Sequence, residues 1–237
     1  MKLRNLLILL FLLVSLSSSI IGGLLYYFSE STIAINNKSQ SLLAIAESRS
    51  EHIKTYFNLE IDKLKLISSR TQLKIDIENY SKDQSLELKE AIRVKLSDSK
   101  NSVADYRHIC FIDMDGKVVT CDDSSLDGQD FSQEDFFANG KIKEGVYFFD
   151  HAGESHTDIA TFGPIISDGK LMGVIVTFEG FEELGKIVKN RTGLGETGEV
   201  LVAYQNNKNG QIIYPFPRFF TTTTTTTTTA ATAAASK

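Results

Sequence analysis

The chain has no tryptophan, three prolines, two cysteines and four histidines among its 237 residues. Each scarcity excludes a class of chemistry. His52, His108, His151 and His156 match no zinc-ligand spacing, so no metal centre is expected. The aspartates Asp113, Asp115, Asp122 and Asp123 lack the EF-hand interval and are read as turn formers. There is no G-x-S-x-G elbow and no nucleophile–base set, so an enzyme is not expected. Gly193, Gly195 and Gly198 are not followed by the Lys-Ser/Thr of a phosphate loop. Net charge is −5 with no basic stripe, which excludes a nucleic-acid partner. From Ser29 to Arg70 there is neither glycine nor proline.

What is present is ordered along the chain. Lys2 and Arg4 precede an apolar run, Leu6–Phe28, interrupted by Ser15, Ser17–Ser19 and Gly22-Gly23. A hydrocarbon slab of about 30 Å needs about 20 helical residues, and the run reaches that length. Residues 1–28 are therefore either an uncleaved membrane anchor or a signal segment. In both cases the basic residues stay cytoplasmic and the remainder lies outside, on the membrane or secreted. Residues 29–70 carry apolar side chains at Ile35, Leu42, Leu43, Ile53, Phe57, Leu64 and Ile67, largely at helical spacing. That predicts a long stalk helix. Its apolar face calls for cover from the globular region or from a second copy, a homo-oligomer.

Two shorter helices are predicted over Leu73–Tyr80 and Leu86–Leu96. Five strands follow: His108–Ile112, Lys117–Cys121, Gly145–Asp150, Ile159–Ile166 and Leu171–Phe178. A helix over Phe181–Lys189 and strands at Val200–Tyr204 and Gln211–Tyr214 complete the pattern. At least two links are too short for crossover helices, so the class is α+β: an antiparallel five-stranded sheet with flanking helices. If Asp115-Gly116 forms a two-residue turn, Cys110 lies opposite Cys121, within disulfide reach. The alternative is a pair of small buried thiols. A four-residue turn at Asp113–Gly116 would shift the register by two.

Asn37, Asn79 and Asn190 each open an N-x-S/T acceptor. Residues 219–237 form a low-complexity tail. Its threonines Thr221, Thr222, Thr223, Thr224, Thr225, Thr226, Thr227, Thr228 and Thr229 suit O-linked sugar or an unmodified disordered end.

Five phrases carry a family resemblance. They are Phe111–Val119 with Asp113-Met114-Asp115-Gly116; Gly128-Gln129-Asp130-Phe131-Ser132 running into Phe136-Phe137; Gly163-Pro164-Ile165; Gly169 through Gly173–Val176; and Thr192–Glu199 leading into a strand. In this order, after an apolar segment and a long helix, they resemble a Cache domain, the PAS-like extracellular sensor of chemoreceptors and histidine kinases. The resemblance covers roughly residues 30–218. It implies a PAS-like lobe over 71–190 and, over 191–218, the first hairpin of an incomplete second lobe.

It also implies a small-molecule site between the concave sheet face and the loops that cross it. Tyr106 and Arg107 are candidates for a carboxylate, and Asp150 and Asp158 for an amine. Phe137, Tyr147, Phe149 and Thr161 would complete the lining. The aromatic that amino-acid-binding members carry two residues after an arginine is Ile109 here. The plainer readings are that Tyr147 and Phe149 are core and that Arg107 pairs with Asp105 or Asp122. No cofactor is expected. The function implied is an extracytoplasmic small-molecule sensory module without its own output domain. The alternative is a structural or filament-forming surface protein with a glycosylated tail.

Overall fold

The computed structural model describes residues 3–103, 106–150, 157–195, 198–205 and 210–216. The chain divides into two compact units, Met1–His52 and Ile53–Lys237.

The first unit is helix throughout its described length, within α1 (Leu3–Ser68). No break separates the apolar run from the stalk: α1 passes through Phe28 and Ser29, and through Gly22-Gly23, without interruption. Phe11, Leu12, Leu16, Ile21, Leu25 and Phe28 are all exposed, and the stretch is long and apolar enough to cross a bilayer. Its hydroxyls are turned back onto the helix. Ser17 Oγ donates to Val14 O at 2.9 Å and Thr32 Oγ1 to Phe28 O at 2.9 Å.

The second unit is built on five strands: β1 (Tyr106–Ile112), β2 (Val118–Cys121), β3 (Gly145–Asp150), β4 (Thr157–Ser167) and β5 (Lys170–Glu179). They lie in the order β2-β1-β5-β4-β3, every pair antiparallel. Helices α2 (Thr71–Lys82) and α3 (Leu86–Asn101) precede them, α4 (Asp135–Gly140) interrupts them and α5 (Glu182–Lys189) follows. The fold is the α+β arrangement expected from the sequence.

Side chains alternate across a strand, so each strand serves two layers. On one face, Phe111, Ile165 and Ile175 pack under Leu64 and Ile67 of α1, Leu73 and Ile77 of α2, and Ile92 and Leu96 of α3. On the other, Val174, Val176 and Phe178 of β5 meet Phe131, Phe136, Phe149 and Phe162. Phe136 comes from α4 and its ring lies 5.4 to 6.2 Å from Phe131, Phe149, Phe162 and Phe178. A third cluster joins Leu184 and Val188 of α5 to Ile159, Phe57 and Phe148. Gly173 of β5 lies against the end of β1. Its φ is +153°, and a Cβ there would fall 2.2 Å from the Ile112 carbonyl oxygen.

The β1–β2 hairpin departs from expectation in its turn but not at its cysteines. The turn is the four-residue Asp113–Gly116: Gly116 N donates to Asp113 O at 3.2 Å and Asp113 N to Lys117 O at 2.9 Å. Gly116 takes φ +91°, which favours glycine. This turn sets Ile112 opposite Val118. A bulge between Phe111 and Ile112 then leaves Val119 as the extra residue on β2 and sets Phe111 opposite Thr120. Cys110 therefore faces Cys121 and is bonded to it. Past the sheet, residues 200–203 form no strand. Tyr204–Gln205 (β6) and Ile212–Ile213 (β7) pair as a separate two-stranded ribbon.

Replacing Cys110 and Cys121 by alanine should lower the unfolding free energy by about 2–4 kcal/mol, because the bond closes a short loop in the unfolded chain. Urea unfolding of the two forms of the full chain measures it. An unchanged midpoint would mean the hairpin is held by packing alone.

Candidate ligand site

The β3–β4 register places Phe149 opposite Asp158 and Tyr147 opposite Ala160. These residues share the aromatic face of the sheet. Phe149 is buried, its ring 5.5 Å from Phe131, 5.5 Å from Phe136 and 5.4 Å from Phe178. Tyr147 is half-buried at the margin, 6.1 Å from Phe136. Phe137 is buried below, with Lys141 Nζ 4.3 Å above its ring.

Arg107 reaches the same rim through a bulge. The β1–β5 pairing shifts between Tyr106 and His108, leaving Arg107 as the extra residue. Its Nη1 lies 2.6 Å from Asp158 Oδ1 and its Nη2 3.3 Å from Glu182 Oε1 of α5. The plainer expectation, that Arg107 pairs with Asp105 or Asp122, is not what is found for Asp122, which is held by Lys100. Asp105 lies outside the described residues. Within the ion pair the Asp158 side chain is 1% exposed and the Arg107 side chain 39%. A buried carboxylate is thus neutralised by a guanidinium that still faces solvent.

Two of the predicted site residues are not brought to this face. Tyr106 points to the opposite one, where its hydroxyl donates to Glu60 Oε2 of α1 at 3.2 Å. Burial, and then Glu60 and Glu179, hold its phenol well above the ordinary range. Thr161 alternates with Ala160 and Phe162 and so also turns away from the aromatic layer. Its carbonyl accepts from Thr177 Oγ1 at 3.3 Å, and its buried hydroxyl has no hydrogen-bond partner among the described residues. Tyr56 donates to Glu179 at 2.9 Å beside them, so a polar seam runs under α1. For Asp150 only the backbone pairing to Thr157 is described.

The modification candidates are scattered. Asn37 on α1, Asn79 on α2 and Asn190 after α5 are exposed, and Asn190 Oδ1 accepts from Thr192 N at 3.0 Å. Thr221–Thr229 lie outside the described residues.

A cluster that the sequence reading did not single out sits beside the disulfide. His108 Nδ1 is 3.6 Å from Asp122 Oδ1 and 3.3 Å from Asp123 Oδ2. The donor atoms of the three residues lie within 4.8 Å of one another, a spacing that a metal ion accepts. Asp122 is already occupied. Lys100 Nζ lies 2.6 Å from its Oδ2, and Ile109 N donates to its Oδ1 at 2.8 Å. The cross-strand pairing of the cysteines was the available signal, since His108 and Asp122 flank it. The Asp122 carboxylate holds the His108 imidazole above its ordinary value, outweighing partial burial, and Asp123 adds to the effect. Burial alone would raise the Asp122 carboxyl. His108, Lys100 and the Ile109 N–H outweigh it and pull it down to about 2.

No family model and no curated protein matches the sequence. Solved structures do. The sensor domain of the V. cholerae histidine kinase DctB superposes with a TM-score of 0.51 at 18% identity, over 65% of this chain and 61% of that one. The chain thus spans less than two thirds of that domain's length. The ligand-binding domain of the Campylobacter jejuni chemoreceptor Tlp3, solved with 4-methylisoleucine, gives a TM-score of 0.45 at 16% identity, over 65% of this chain and 61% of that one. The fold is similar to that of the DctB sensor domain, in line with the resemblance to Cache domains.

A raised histidine value ties stability to pH in a stated direction. The imidazolium's contribution is complete below the unfolded value of about 6.5 and is lost as pH rises through the higher folded value. Between about pH 6 and pH 8 the melting temperature of the native chain should fall relative to that of a His108→Gln variant. Parallel melting curves across this window would remove the imidazolium from the account.

Proposed function

We propose that the chain is an extracytoplasmic sensory module that binds a small solute at the rim of its aromatic face. The sensor-domain fold shared with DctB supports the class. The observation that carries the reading is the Arg107–Asp158 pair above the phenylalanine layer. A solute carboxylate takes the solvent-facing guanidinium, and a solute amine takes the carboxylate that Arg107 releases. The apolar body of the solute meets Tyr147 and Phe149. Nothing in this chemistry transforms the solute: the groups recognise charge and shape.

The membrane assignment rests on α1. Tyr26, Tyr27 and Phe28 close the exposed apolar stretch, in the position of an interfacial aromatic belt. Arg4 lies at the other end, exposed. On the same reading Asn37, Asn79 and Asn190 are open to sugar, and the exposed Leu42 and Leu43 to a second copy.

A melting screen of the full chain against amino acids, dicarboxylates and amines tests the proposal. A cognate solute at about a hundred times its Kd adds about 2.7 kcal/mol, which moves Tm by about 5–10 °C in a domain of this size. The shift should vanish in Arg107→Ala. A panel that leaves Tm unmoved, or a shift untouched by Arg107→Ala, would overturn the placement of the site.

A further inference from the structure

We propose that the chain carries a second small-molecule site, on the helix-covered side of the sheet, that takes a zwitterion with an apolar substituent. It does not rest on the function proposed above. A cavity of about 430 Å³ opens between the end of α2, the α2–α3 connection, the β1–β2 turn and β5. That volume lies within the ~300–1,000 Å³ typical of small-ligand sites. Its floor is made by Ile77, Phe111, Val119 and Met172, all buried members of the core beneath the helices. An apolar substituent placed there continues the packing of the core.

The charges around the mouth fall into two kinds. Lys89 is held by Asp127 at 2.9 Å. Asp113 Oδ1 accepts from the backbone N–H of Asp115 at 3.0 Å and of Lys117 at 2.9 Å. The Lys117 ammonium and the Asp115 carboxylate are different. Among the described residues neither makes an ion pair or a side-chain hydrogen bond. They stand on either side of Gly116, whose shape the fold enforces: its φ is +91°, and a Cβ there would lie 2.5 Å from Ser132 Cα. The turn therefore presents one cation and one anion, neither held in an ion pair among the described residues, over an apolar floor; the charge of Lys117 also reaches the exposed Asp130 carboxylate across the bridge that pairs the two residues.

Charge balance selects the ligand. A net anion meets Asp113 and Asp115, and a net cation meets Lys89 and Lys117. A zwitterion satisfies both signs, its carboxylate on Lys117 and its ammonium on Asp115. The Tyr80 hydroxyl and the Gln84 amide also line the cavity and have no partner among the described residues. They supply further hydrogen bonds to the same polar head.

The methionines provide a local readout. The chain has three, Met1, Met114 and Met172, and the last two line the cavity. Full chain in lipid nanodiscs, labelled with 13C at the methionine methyls, is titrated with L-leucine, N-acetyl-L-leucine and L-leucine methyl ester. Leucine should shift the Met114 and Met172 resonances saturably and leave Met1 in place. The acetyl compound and the ester each lack one charge and should bind about tenfold more weakly. Lys117→Gln and Asp115→Asn replace exposed side chains and keep the backbone donors of the turn. Each should weaken leucine about tenfold, without changing any melting shift that depends on Arg107. No saturable shift up to about 10 mM leucine, equal binding of the three probes, or variants that bind as the native chain does would each overturn the proposal.

Discussion

Strand β5 governs the rest of the structure. From Met172 to Gly180 every residue is buried, with β1 on one edge and β4 on the other. A strand in that position has no solvent face, so alternation divides its side chains between two dry layers. Val174, Val176 and Phe178 go to the phenylalanine layer and Ile175 to the helices. The neighbouring strands inherit the same division through register. The two layers then acquire different characters, one aromatic and the other aliphatic with a polar seam.

Charge follows from that burial. A carboxylate inside a sheet module is tolerated when a cation or hydrogen-bond donors meet it. Asp158 meets Arg107, and Asp122 meets Lys100 and the Ile109 N–H. Glu60 meets Lys63 at 2.7 Å and Tyr106 at 3.2 Å. Apart from Glu60–Lys63, which lies within α1, these contacts join different elements. The acidic excess of the chain is thereby spent in part inside the fold. At the rim of the aromatic face and at the mouth of the helix-side cavity, charge and apolar floor adjoin.

Much of this was legible from residue order. Alternation of Val, Ile and Phe located all five strands, and short links excluded a parallel sheet. The pairing of Cys110 with Cys121 was read correctly from a turn that is not the one formed. The real turn, Asp113–Gly116, shifts the register, and the bulge near Phe111 shifts it back. Local sequence does not reveal a bulge, because the extra residue is accommodated by neighbours far along the chain. The same limit explains Tyr106: its chemistry suits a ligand, yet facing is a matter of parity, and the bulge at Arg107 changes parity between Tyr106 and His108. Thr161 faces away for a simpler reason, since it is three residues from Asp158 on an unbroken strand.

Composition and periodicity alone determined that this is an α+β module following an apolar helical segment, because burial pattern and link length act over a few residues. The β2-β1-β5-β4-β3 strand order, the meeting of Arg107 with Asp158, and the cavity beneath α2 and α3 were decided only in the folded chain. Those features join residues far apart in sequence. Which of them meet depends on register, bulges and the face each strand turns to its neighbours, quantities that exist only once the sheet has closed around β5.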